Sequence, residues 1–149
     1  MVLRHRRFKM KIMVFLHGTS IMHRNAGGRT REERVQQFFN GDESLYDFES
    51  YIPIDNAVMK LQQWWQQGAK IVYLSSHKRD EDVEKDKLVL QKYGFPDGPI
   101  YHRIGGEKEM TYPHIKPELK NQIKSIVVNE FGGIDHLPDE ISALMTWEG

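Results

Sequence analysis

The sequence predicts an α/β protein: a parallel sheet with helices on both faces and a small insert after the first strand. Three observations carry this. Short apolar runs at residues 12–16, 71–74 and 126–128 read as strands buried on both faces. Helical stretches separate them, and strands that alternate with helices are joined by crossovers that make a sheet parallel. Each run also ends in polar residues: His17-Gly18-Thr19-Ser20, Ser75-Ser76-His77 and Asn129-Glu130. In such sheets ligands sit outside the carboxyl ends of the strands.

The elements follow in order. "IMVFL" is the first strand. Residues 22–52 differ in composition and read as an insert above the sheet. Within it Thr30 and Glu33 have capping-box spacing, and Asn40-Gly41 is a turn signal. "IDNAVMKLQQWWQQGAK" is the clearest helix. Asp55 or Asn56 stands at its start, Gly68 stops it, and Ala57, Leu61 and Trp64 share a face with Val58 and Trp65. Because Trp64 and Trp65 are adjacent, one of them is left nearer the surface.

"KIVYLSS" is the second buried strand. "RDEDVEKDKLVLQKYGFP" is a helix whose acids Asp80, Glu81 and Asp82 favour the positive helix end, with His77-Lys78-Arg79 leading into it. "GPIYHRI" is a short strand, "KPELKNQIK" a helix that begins at a proline, and "SIVVNE" the last core strand. A helix is expected over residues 139–147.

Composition narrows the function. A chain of 149 residues with 39% hydrophobic residues has enough material for one domain with a real core. Twenty-one basic and 21 acidic side chains give no global attraction for nucleic acid or anionic membrane. The start is locally basic, with Arg4, Arg6, Arg7, Lys9 and Lys11 and no acid, so residues 1–9 read as a basic extension. A nucleic-acid arm there competes with a solvated tail. No apolar run is long enough to span a membrane, and no signal-peptide pattern follows the basic start, so a cytoplasmic location is expected. The absence of cysteine excludes disulfides, thiolate catalysis and cysteine-ligated zinc.

With these elements in place the chain, from about residue 11 to 137, resembles the haloacid dehalogenase-like (HAD) superfamily. The resemblance implies a Rossmann-like three-layer fold and a first strand ending in Asp-x-Asp-Gly-Thr. The first Asp of that motif attacks a phosphoryl group, the second is the acid/base, and magnesium is held nearby. The aligned stretch here is Phe15-Leu16-His17-Gly18-Thr19. Gly-Thr is kept and both carboxylates are gone. The resemblance further places Ser75 as the second-motif hydroxyl, Lys116-Pro117 as the third-motif lysine, and Glu130 with Asp135 as the acidic pair after the last core strand.

Phe15 removes both the nucleophile and an anionic magnesium ligand. The expectation is therefore a HAD-like protein without the nucleophile, binding rather than turning over a phosphorylated ligand, another anion or a protein partner. Gly18, Thr19, Ser75, Ser76, Lys116, Glu130 and Asp135 are the candidate ligand residues. The other reading is a phosphatase-like hydrolase of altered chemistry, built on His17. Imidazole there is open to several roles: acid/base, phosphoryl acceptor, transition-metal ligand with Glu130, Asp135 and His23 or His77, or a loop histidine bonded to backbone. No cofactor is required, magnesium is disfavoured, and a transition metal is the remaining metal option.

Overall fold

The computed structural model describes residues 8–41, 47–102 and 124–147. Lys116, the helix expected around it, and Arg4, Arg6 and Arg7 lie outside the described residues.

The sheet has four parallel strands. β1 (Met10–Phe15) lies between β4 (Ala69–Ser75) and β6 (Lys124–Val128), and β5 (Ile100–His102) flanks β4. Ile12 sits opposite Ile71 on one side and Ile126 on the other. Helices flank the sheet, giving the Rossmann-like α/β architecture that the alternation predicts. Successive side chains point to opposite faces of a strand. Accordingly Met10, Ile12, Val14 and Leu16 enter the main core, while Met13 joins a second cluster with Val72 and Leu74. Phe15 packs on that second cluster as an ordinary strand residue.

α2 (Ala57–Gln66) buries Ala57, Leu61 and Trp64 in the main core, with Val58 and Trp65 partly buried against it. The Trp64 indole N–H donates to the Pro138 carbonyl at 2.9 Å, so the ring is buried with its polar atom satisfied. α3 (Asp80–Tyr93) begins with the expected acids and ends at Gly94 in the left-handed region. The last helix, α4 (Ile141–Leu144), is shorter than the sequence suggests. Asp139 is engaged by Lys60 instead of capping it, and the Gln67 side chain accepts from the Ile141 N–H.

The segment between β1 and α2 folds back over the carboxyl edge of the sheet. β2 (Ile21–Met22) and β3 (Ile52–Pro53) form a small antiparallel ladder that closes it. Between them, α1 (Arg31–Asn40) carries the capping box: Thr30 Oγ1 accepts from the Glu33 N–H, and Glu33 accepts from the Thr30 N–H. Gly41, in the left-handed region, ends it.

One buried guanidinium anchors α1. Arg34 donates to both carboxylate oxygens of Asp55 and to the carbonyls of Ala26 and Gly132. It thereby fixes the insert to the loop after β6 and to the entry of α2.

Candidate functional site

The chain order of the parallel strands runs outward from β1 to β4 and β5, then returns to β6 on the other side of β1. That reversal leaves a crevice at the carboxyl end of β1. A cleft of about 240 Å³ opens there, lined by His17 and Gly18 after β1, Ser76 and His77 after β4, and Phe131 after β6. The insert supplies the rest of the wall, with Met22, Phe38, Phe48 and Tyr51.

The loop after β1 is held tightly. The Leu16 carbonyl accepts from the N–H groups of Thr19, Ser20 and Ile21, and the Ser20 hydroxyl donates to the Phe15 carbonyl. Gly18 has φ +85°, and a Cβ there would stand 3.0 Å from the Phe131 ring. Its carbonyl accepts from the Gly132 N–H at 2.7 Å, joining the loops of β1 and β6. A glycine is what permits this approach.

The polar floor of the cleft is built around Asp86, which is 2% exposed. Its Oδ1 bonds His17 Nε2 at 2.8 Å, and its Oδ2 bonds His77 Nδ1 at 3.0 Å and accepts from the Ser75 hydroxyl at 2.6 Å. The Ser75 oxygen in turn accepts from the His77 N–H. On the opposite edge of His17, Nδ1 faces the Ser76 hydroxyl at 3.1 Å. For the neutral ring these partners assign the tautomer: His17 donates from Nε2 to Asp86, leaving Nδ1 to accept from Ser76. Burial pushes the Asp86 carboxyl up, but hydrogen bonds from His17 and His77, attraction to His17 and the Ser75 hydroxyl outweigh it, holding the group down to about 2. Asp86 is therefore an ionised, buried acceptor.

The candidate residues separate on this geometry. His17, Gly18 and Ser76 line the cleft. Ser75 is fully buried and commits its hydroxyl to Asp86. Thr19 is fully buried as well, and its hydroxyl has no hydrogen-bond partner among the described residues. Glu130 bonds Arg31 and His136, and Asp135 bonds Asn56, so neither belongs to the His17 cluster. Among the described residues, the group of three metal-capable side chains is His17, His77 and Asp86, whose donor atoms lie within 4.8 Å of one another. Two imidazoles and one carboxylate do not fit magnesium, which prefers oxygen donors in octahedral geometry.

His77, read chiefly as the lead into α3 and otherwise as an optional metal ligand beside His17, turns inward. Asp86 carried a readable signal. The buried positions of α3 are Asp82, Asp86, Val89 and Leu90, so two acids stand on the helix's buried stripe. A carboxylate at a core-facing position requires a partner.

Fold and site together define a Rossmann-like α/β protein with an aromatic-walled cleft over a histidine–carboxylate floor. No protein family and no curated protein matches the sequence. Among solved structures, a chain of the Pnkp1/Rnl/Hen1 RNA repair complex is similar at 16% identity and TM-score 0.51, covering 83% of this chain and 36% of that one. Another chain, from a Pnkp1/Rnl/Hen1 complex, has 20% identity and TM-score 0.46 over 77% of this chain and 34% of its own length. The protein thus spans about a third of each of these chains, and at 16% identity the likeness to the first is one of fold alone.

Proposed function

We propose that the chain is a haloacid dehalogenase-like protein without the aspartate nucleophile, and that its cleft binds a small phosphorylated or anionic ligand. One observation carries the reading: where the superfamily places two aspartates, Phe15 packs into the sheet and His17 enters the cleft. Among the described residues the cleft lining itself carries no acid, and the Asp86 carboxylate stands behind it, bonded to His17 and His77. A phosphate there meets imidazole and hydroxyl groups backed by one paired carboxylate, in place of two carboxylates facing it directly. Phe38, Phe48, Tyr51 and Phe131 favour a ligand with an apolar or aromatic body behind its anionic group.

The test is titration with inorganic phosphate and phenyl phosphate in the presence of a chelator, followed by amide chemical shifts. Shifts at Gly18, Ser76 and His77 are expected. Inorganic phosphate should bind at about millimolar, roughly 4 kcal/mol, and phenyl phosphate about tenfold tighter as its ring is buried. No localised shifts, or shifts that persist unchanged in His17→Ala, overturn the proposal. With magnesium and p-nitrophenyl phosphate, purified protein should give no turnover above blank. Robust turnover abolished by His17→Ala would count equally against it.

A specific observation favours a second reading, a hydrolase of altered chemistry using His17. Ser76, His17 and Asp86 form a hydroxyl–base–orienter chain at the cleft. In that reading the Ser76 oxygen attacks the phosphorus of a phosphate ester as its proton passes to His17 Nδ1, the ester P–O bond breaks and His17 returns the proton to the leaving alcohol, and water then hydrolyses the phosphoserine to release phosphate. A serine-directed fluorophosphonate separates the two: labelling of Ser76 that disappears in His17→Ala supports the hydrolase, and absence of labelling supports the binding protein.

A further inference from the structure

We propose that His17 Nε2, His77 Nδ1 and an Asp86 oxygen form a three-donor site for a zinc-class divalent transition metal, with the remaining coordination position facing the cleft. The site stands on the three donors alone; its use as a seat for the ligand's anionic group rests on the function proposed above.

The donor set selects the metal. Two imidazole nitrogens and one carboxylate oxygen are borderline ligands suited to zinc, cobalt or iron rather than to calcium or magnesium. Three protein ligands with a fourth position open are the pattern of sites that bind an exogenous molecule, whereas structural zinc sites are closed by four.

Geometry agrees. The donor atoms converge within 4.8 Å, with His17 Nε2 2.8 Å and His77 Nδ1 3.0 Å from the two Asp86 oxygens. A tetrahedral ion with bonds of about 2.0–2.2 Å sets its donors roughly 3.4 Å apart. The pair that shares the ligating oxygen therefore opens by about half an ångström as the ion replaces the shared proton, and the third donor, within 4.8 Å, closes in. His17 and His77 line the cleft, while Asp86 lies buried behind them. A bound ion thus presents its remaining position outward.

The groups that orient metal ligands are also in place. Histidine ligands use their second nitrogen to fix ring orientation, and ligating carboxylates are themselves hydrogen-bonded. His17 Nδ1 faces Ser76 Oγ, and Ser75 donates to Asp86 while accepting from the His77 backbone. When Nε2 carries the metal, the ring proton shifts from Nε2 to Nδ1, which then donates to Ser76 instead of accepting from it. Ser75 holds the Asp86 carboxylate in either state. Three chain segments contribute: the loop after β1, the loop after β4, and α3.

The experiment uses the whole chain, stripped with chelator and titrated with cobalt(II) and then zinc(II) without phosphate. One equivalent should bind, with the d–d absorption of low-coordinate cobalt, bleached by zinc. In the unmodified protein, zinc should shift the ring nitrogens His17 Nε2 and His77 Nδ1 in a long-range proton–nitrogen spectrum. That readout needs no variant and so does not depend on whether a substituted protein folds. His17→Ala, at a partly exposed position, should weaken cobalt binding about a hundredfold, and Ser75→Ala about tenfold through loss of carboxylate orientation. His136→Ala, outside the cluster, should leave stoichiometry and affinity unchanged.

The proposal is overturned by failure to bind one equivalent, by ring shifts at other histidines, or by affinity that survives His17→Ala. Because phosphate binding is measured with chelator present and metal binding without phosphate, each reading can fail while the other stands. Phosphate binding enhanced by zinc in the unmodified protein but not in His17→Ala establishes the seat. Equal phosphate affinity with and without zinc removes that role.

Discussion

Replacing Asp86 by alanine should destabilise the metal-free protein by about 3–5 kcal/mol, the cost of removing one partner from a buried ionic cluster. The substitution strands the Ser75 hydroxyl and His77 Nδ1 in buried positions and frees His17 Nε2. Each stranded buried donor carries a desolvation penalty of about 1–3 kcal/mol. Asp86→Asn should cost less, about 1–2 kcal/mol, because its carbonyl still accepts. Its amide N–H₂ cannot accept, so the His17 ring must change tautomer or the bond is lost. Urea denaturation of both variants in chelator measures this. A loss below about 1 kcal/mol in Asp86→Ala would mean that the cluster holds no net stability.

The same carboxylate sets a pH dependence whose sign is determined. Its folded pKa, about 2, lies below the ordinary value of 3.8. The folded state therefore binds the proton less readily than the unfolded state. The contribution is fully present above pH ~4 and is lost as pH falls toward 2, and it amounts to about 2 kcal/mol. The stability gap between the unmodified protein and Asp86→Asn should thus shrink as pH falls from 5 to 3. A gap that widens between pH 5 and pH 3 would contradict the assignment of Asp86 as the ionised member.

Much of the fold was legible because its signals are local. Strand burial shows as runs such as "IMVFL" and "IVYL", and the Thr30–Glu33 box and the stops at Gly41, Gly68 and Gly94 are short-range chemistry. The parallel sheet followed from the alternation of strands with helices.

The site was legible in part. His17, Gly18 and Ser76 were marked by the strand ends on which they stand, and they line the cleft. Asp86 was passed over: its place on the buried stripe of α3 with Val89 and Leu90 signals a partnered acid, but that partner, His17, is 69 residues away and no local rule names it. Glu130 and Asp135 were selected by their position after a strand. Position fixes where the backbone goes, whereas the partners fix what the side chain does. For these two the partners are Arg31, His136 and Asn56.

Removing the Arg34 guanidinium should have a comparably large effect, and it reaches the cleft from outside. Arg34 is 2% exposed and makes four hydrogen bonds: two to Asp55, one to the Ala26 carbonyl and one to the Gly132 carbonyl. Loss of a buried charged donor from such a set costs about 3 kcal/mol. Asp55 is 41% exposed at its side chain, so water recovers part of its share and keeps the figure at the lower end of the range.

Arg34→Lys should recover only part of the loss. One ammonium lacks the planar fork that reaches a carboxylate and two carbonyls together. The consequence for binding follows from helix geometry. Phe38 lies four residues on from Arg34, on the same helix, and its ring meets Phe131 edge-on at 5.0 Å across the cleft. Releasing α1 removes that wall while leaving His17, Ser76 and His77 on the loops after β1 and β4. Arg34→Ala should therefore weaken phenyl phosphate binding more than inorganic phosphate binding, bringing the two affinities together. Thermal denaturation and the paired titrations check it. Equal weakening of both ligands would mean that α1 positions the polar floor itself, and unchanged stability would mean that the insert holds its place without Arg34.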